Sequence, residues 1–143
     1  MRWVTRSGPH VDRMACAWLI RRCIDPDADF SFVTDPGDLP PDATPFDIRG
    51  AELSHHGEDC TYETMLTRYR LDDPVLHELA MLVHEADLAD DRFYAPAALG
   101  LDLVTRGISL VCDNDEALTA GLRIFDGLYE QTRQQLLRGS PAT

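Results

Sequence analysis

The chain predicts an α+β fold: a small sheet of about three strands packed by about five helices in a single domain. Three observations carry this expectation. Two short β-rich runs, RWVTR and FSFVT, lie near the start. From Cys60 onward apolar residues recur at helical spacing. A length of 143 residues fits one domain and can bury a core without disulfides or a structural metal. The domain is expected over residues 1–138, with residues 139–143 as a disordered tail.

RWVTR alternates and reads as the first strand. Residues 11–24 follow as a helix that stops at DPDAD, since Pro26 cannot continue it and turns Asp25 away from helical angles. FSFVT is the second strand, and DPGDLPPDATP is a loop rich in proline and acid. FDI and AELSH alternate and suggest a third strand broken at Gly50. The next helix covers residues 61–69. Asp73 and Pro74, an N-cap followed by proline at the first helical position, begin another that runs to about Asp90. Two more cover residues 96–112 and 115–137. In the last, Leu118, Leu122, Phe125, Leu128 and Tyr129 form an apolar stripe that serves either the core or a homodimer face.

The net charge is −12, from 25 acidic and 13 basic residues. A duplex-binding role needs a basic patch against the phosphates, and the modest cluster Arg2, Arg6, Arg13, Arg21 and Arg22 does not supply one. Nucleic-acid binding by this chain alone is not expected. Cys16, Cys23, Cys60 and Cys112 form no C-x-x-C pair, the N-terminus has no apolar leader region, and no apolar run approaches the roughly 20 residues that span a bilayer. No membrane association is expected, and reduced thiols in the cytoplasm are the simplest reading. Cys16, Cys23 and Cys112 have apolar neighbours and are expected in the core.

Three segments hold residues suited to chemistry. In PVLHELAMLVHEADLADD, Asp87 extends the buried stripe of Leu76, Leu79, Ala80 and Val83, and His84 lies beside it at i−3 on the helix surface. Acids crowd this helix's C-terminal end, where the dipole is already negative, so a bound cation would relieve them. A solvated acidic loop is the competing reading. In ELSHHGEDCTYETM, an extended AELSH puts His55 on the inward face with Leu53 and His56 on the other. Glu52 and His56 would then be about 13 Å apart at ~3.3 Å per residue. His55, His84 and Asp87 would together form a two-histidine, one-carboxylate set suited to zinc, iron or manganese. The alternative for His55 is a buried imidazole hydrogen-bonded to backbone. Cys60, just before a helix, is a candidate reactive thiol or metal-binding thiolate, or an inert residue of that first turn.

The third segment is TRSGPHVDRMACAWLIRR. Arg13 falls in line with Ala17, Ile20 and Ile24, at the inner edge of a helix's first turn, where the dipole disfavours a cation unless an anion meets it. With Arg6, His10 and the free helix N–H groups it would make an oxyanion cradle. An ion pair with an aspartate is the alternative. Asp12 reads as a helix N-cap.

WVTRSGPHVDRMACAWLIRRCIDPDADFSFV, FDIRGAELSHHGEDCTYETML and VHEADLADDRF resemble, over nearly the whole chain, the C-terminal domain family of the chromate-resistance protein ChrB. The family's H-V-D-R is matched by His10 to Arg13, its H-[DE]-x-D by His84 to Asp87, and its H-x-G-x-x-C-[ST]-F by His55 to Tyr62, with tyrosine in place of phenylalanine. The resemblance implies a bacterial cytoplasmic protein tied to chromate resistance, whose full-length members are chromate-responsive regulators. Those members carry a further N-terminal domain, whose DNA binding is not carried over here. No H-C-x-x-G-x-R loop supports rhodanese-like sulfur transfer.

The leading expectation is therefore a metal-binding, oxyanion-responsive domain that takes a divalent transition metal and a small anion, such as chromate or a substrate carboxylate. A metal-dependent hydrolytic or redox enzyme acting on a small anion is the first alternative. A regulatory interaction module without a metal is the second.

Overall fold

The computed structural model describes residues 1–139, so of the expected tail, residues 140–143 lie outside the described residues. Strand β1 (Arg2–Arg6) is the middle strand of a three-stranded sheet, flanked by β2 (Asp29–Val33) and β3 (Thr44–Pro45), both parallel to it. Parallel neighbours need a crossover, and helix α1 (Val11–Leu19), continued by a π-helical turn over Ile20–Ile24, supplies it between β1 and β2. Asp25 leaves helical angles just before Pro26, as the proline requires. Four helices follow: α2 (Thr61–Arg68), α3 (Pro74–Leu88), α4 (Ala98–Val111) and α5 (Asn114–Leu137). The fold is α+β.

α1 is the central helix. Its residues other than Arg13 are buried, Asp12 included, and it packs on α2, α3, α4 and α5. Its aromatic anchor Trp18 stacks on Phe125 and Tyr129 of α5. On the sheet side, Trp3 and Phe30 meet Phe46 edge-on. Asp73 caps α3 by accepting from the Val75 N–H at 2.9 Å, with Pro74 in the first turn. Asp113 caps α5 through Glu116 N–H at 2.8 Å, one residue earlier than the helical periodicity alone places the start.

Two expectations need correction. The third strand is Thr44–Pro45, and AELSH is not a strand: Phe46 and Leu53 make a single bridge, and between and beyond them the chain reverses through Asp47, Gly50 and Gly57, all at positive φ. His56 consequently folds back, its Nε2 2.7 Å from the Glu52 carbonyl, where an extended chain would hold the two residues far apart. Cys23 is exposed, because the π turn rotates it off the core face, while Cys16 is buried and Cys112 half-buried. The α5 stripe is core: Leu118 and Phe125 are buried, and Leu122, Leu128 and Tyr129 pack against the same cluster.

Candidate metal centre and oxyanion cleft

Asp12 joins two helices. It sits in the first turn of α1 yet does not cap it; the N-cap is His10, which makes no side-chain bond there. The buried Asp12 carboxylate crosses to the start of α2, where Thr61 N–H donates to Oδ2 and Tyr62 N–H to Oδ1, both at 3.0 Å. A carboxylate on free helix N–H groups is favoured by hydrogen bonding and by the dipole together.

The same Oδ2 lies 3.0 Å from His55 Nε2. Asp87 Oδ2, from the last turn of α3, lies 3.2 Å from that nitrogen, and Asp47 Oδ1 lies 3.9 Å from it. One imidazole nitrogen, on a side chain that is 45% exposed, therefore faces three aspartates. Its hydrogen bond to Asp12 holds the His55 pKa up at about 9. Burial, reinforced by the Asp12 charge, pushes Asp87 up to about 6 and Asp47 up to about 7. Asp47 adopts a left-handed φ of 53°, an uncommon geometry that aspartate tolerates. It is held there by its N–H donating to the Leu53 carbonyl at 2.8 Å and by the Thr61 hydroxyl donating to Oδ1 at 2.7 Å.

Asp87 Oδ2 is buried, and its one partner is the ion pair with His55 at 3.2 Å; it makes no hydrogen bond of good geometry. Ligand atoms from Asp12, His55 and Asp87 all fall within 4.8 Å of one another. Ligands sharing an ion at ~2.0–2.2 Å per bond stand about 3–3.5 Å apart, and the 3.0 and 3.2 Å separations at His55 fit. One imidazole and two carboxylates suit iron(II), manganese(II) or zinc.

His84 belongs elsewhere. Its side chain is 0% exposed rather than on the helix surface, and both ring nitrogens are taken. Nδ1 lies 2.5 Å from Glu63 and Nε2 2.9 Å from Asp90. Burial opposes its charge, but these two hydrogen bonds raise its pKa above the usual value. Glu63 also receives the Cys60 N–H at 3.0 Å. The acids at the end of α3 are thus met by the His84 ring and by backbone: Glu85 accepts from the N–H groups of Asp91 and Phe93, made reachable by the left-handed turn at Ala89. Cys60 is fully buried. Burial, with Asp12 and Glu63 nearby, pushes its thiol up, the opposite of what a reactive thiolate needs.

Beside the carboxylate cluster, a cleft of about 340 Å³ is lined by Arg6, Arg13, Arg49, Asp47, Ser54 and His55, among others. Arg13 is committed to structure: its Nε is 3.1 Å from Asp47 Oδ2, Nη2 donates to the Asp47 carbonyl at 3.2 Å, and Nη1 to the Gly8 carbonyl at 3.4 Å. Among the described residues, Arg6 and Arg49 have no carboxylate within 4.0 Å. His10 does not line the cleft. Burial, then the charges of Arg106 and Arg13, lower its pKa.

The structure thus brings His55 and Asp87 together and sets His84 in a separate pair with Glu63 and Asp90. It places Arg6 and Arg13 on one cleft with His55, leaving His10 outside. Asp12, Asp47 and Arg49 complete the arrangement and were not singled out as site residues from sequence. The signal for Asp12 is its acid charge next to Arg13, which a local N-cap reading absorbs. Asp47 and Arg49 were visible only as polar punctuation in FDIRG.

The family model described as ChrB, C-terminal domain, matches residues 3–132. Protein ChrB of Cupriavidus metallidurans is 38% identical over 129 residues, covering 89% of this chain and 39% of that relative. The chain therefore spans about two-fifths of that relative's length. No solved structure matches it.

Proposed function

We propose, from the premise that this chain belongs to the ChrB C-terminal domain family, that it is a metal-binding, oxyanion-responsive domain associated with chromate resistance. Asp12, His55 and Asp87 hold one divalent transition metal. The observation that carries this reading is that two buried carboxylate oxygens, Asp12 Oδ2 and Asp87 Oδ2, converge on the single nitrogen His55 Nε2 at 3.0 and 3.2 Å, the Asp87 oxygen making no hydrogen bond of good geometry. Without an ion, a proton on His55 balances the aspartates; a divalent cation replaces that proton and takes both carboxylate oxygens as ligands. Bound there, the ion supplies Lewis acidity or redox chemistry.

The cleft provides the second half. Arginine presents a planar fork that matches tetrahedral oxyanions, and in a chain with 25 acids, two arginines that pair with no carboxylate among the described residues select for an anion on this cleft. Arg6 and Arg49 bind it, while Arg13 orients Asp47. Isothermal titration of chromate into tag-free, metal-loaded protein tests this. R6A and R49A should each weaken binding by roughly 10-fold or more, the scale of one charge-assisted bond at ~1.5–3 kcal/mol. Chromate affinity indifferent to both substitutions contradicts it.

A metal-dependent enzyme acting on a small anion is favoured by one observation: His55 and Asp47 line the arginine cleft as well as the carboxylate cluster. Consumption of chromate by a supplied thiol reductant faster than without protein, the excess rate lost in H55A, distinguishes this reading.

A further inference from the structure

Helix α4 turns a broad apolar face to solvent. Leu99, Leu103, Leu110 and Val111 are 75, 74, 86 and 84% exposed, while Ala98 and Thr105 on the opposite side are buried. At about 100° per residue, Leu99, Leu103 and Leu110 form one ridge, and Val104 and Val111 another. Gly100 and Gly107 lie between them, and a Cβ built on either would meet nothing within 4 Å. The face is a groove with a glycine floor and two aliphatic walls. Contiguous exposed apolar surface of this kind marks an interaction site.

Charge and symmetry name the occupant. At a net charge of −12, two copies repel over most of their surfaces. α4 carries one acid and one base, and these neutralise each other, Arg106 Nε donating to both Asp102 oxygens at 2.9 and 3.0 Å. This is a face on which like-charged molecules can meet, and a basic partner would gain nothing from it. The residue pattern also fits itself. When two α4 helices cross antiparallel about a twofold axis near Thr105, Leu103 meets the partner's Gly107, Leu110 meets the partner's Gly100, and Leu99 meets the partner's Val111. The three leucines find a gap or an apolar neighbour, Val104 packs on the aliphatic part of the partner's Arg106, and every contact occurs twice. The C-terminal end of the second α4 then arrives beside a shallow cavity of about 250 Å³ at the N-terminal end of the first, lined by Phe93, Tyr94, Pro96 and Leu99.

We infer that α4 packs against α4 of a second copy of this chain, forming a twofold dimer. Glycine opposite leucine brings the helix axes to the close end of the usual ~8–10 Å spacing. The dimer does not depend on the metal reading, so H55A remains dimeric.

Sedimentation equilibrium of the tag-free chain tests this, with L103E and L110E as interface variants and L137E, exposed on another helix, as control. Wild type, H55A and L137E should sediment at twice 16.0 kDa in the micromolar range. L103E and L110E should associate at least 100-fold more weakly with an unchanged far-ultraviolet dichroism spectrum; both positions are solvent-exposed, so the fold does not need them. A wild type that stays monomeric at high micromolar concentration overturns the inference, and leaves the face to a different protein or to a further domain of a longer chain. A dimer that tolerates both glutamates overturns it as well.

Discussion

The two oxygens of Asp12 accept the N–H groups of Thr61 and Tyr62, so the start of α2 depends on a side chain from α1. In D12A these two amides lose their acceptors at roughly 1–3 kcal/mol each. Urea denaturation should show a loss of at least about 2 kcal/mol. A loss below ~0.5 kcal/mol would mean that α2 starts without this cap. His84 gives a pH signature. Its folded pKa lies above the ordinary 6.5 because Glu63 and Asp90 receive its ring N–H groups. The stability it contributes is therefore complete below about pH 6.5 and is lost as pH rises through the folded value. Denaturation midpoints of wild type should fall between about pH 6 and pH 9, and H84N, though less stable throughout, should fall less over that range. Parallel profiles for the two would contradict the buried imidazolium. Sequence singled out both histidines as special but paired them wrongly. Spacing shows that His84 and Asp87 share a helix; it does not show that Glu63, on a different helix, reaches His84 first.

Among the elements, helix packing was largely legible and the connecting segment was not. Asp73–Pro74 announces α3, and Pro26 marks where α1 and its π turn end, because capping and proline act through local geometry. The stretch from Asp47 to Asp59 folds through three positive-φ positions and long-range hydrogen bonds to Arg13 and Thr61, and alternation in AELSH imitates a strand that tertiary contacts forbid. The α1–α5 contact offers a test in glycine substitutions. A Cβ on Gly121 would come within 2.7–2.9 Å of Met14, including its Cβ, and overpacking of this kind costs about 1–3 kcal/mol, more than the ~1 kcal/mol gained in helix propensity. Gly127, on the same helix, has open space. Thermal denaturation should show G121A destabilised and G127A stabilised by up to about 1 kcal/mol. Equal stabilisation of both would mean that α5 is not seated on Met14.

For the molecule as a whole, three of the 25 acidic residues are gathered at one place. α1, α3 and the segment between β3 and α2 converge so that Asp12, Asp47 and Asp87 surround His55, with the arginine cleft opening alongside. Composition showed the acidic surplus but not its destination, since that convergence is a product of the sheet order and of α1 lying at the centre. The most direct test is metal analysis of the tag-free protein after loading with zinc, manganese or iron(II) and removal of excess. One ion per chain in wild type, abolished in both H55A and D87N but retained in H84N, is the result predicted. Substoichiometric metal in wild type, left unchanged by H55A and D87N, would contradict the account at its centre.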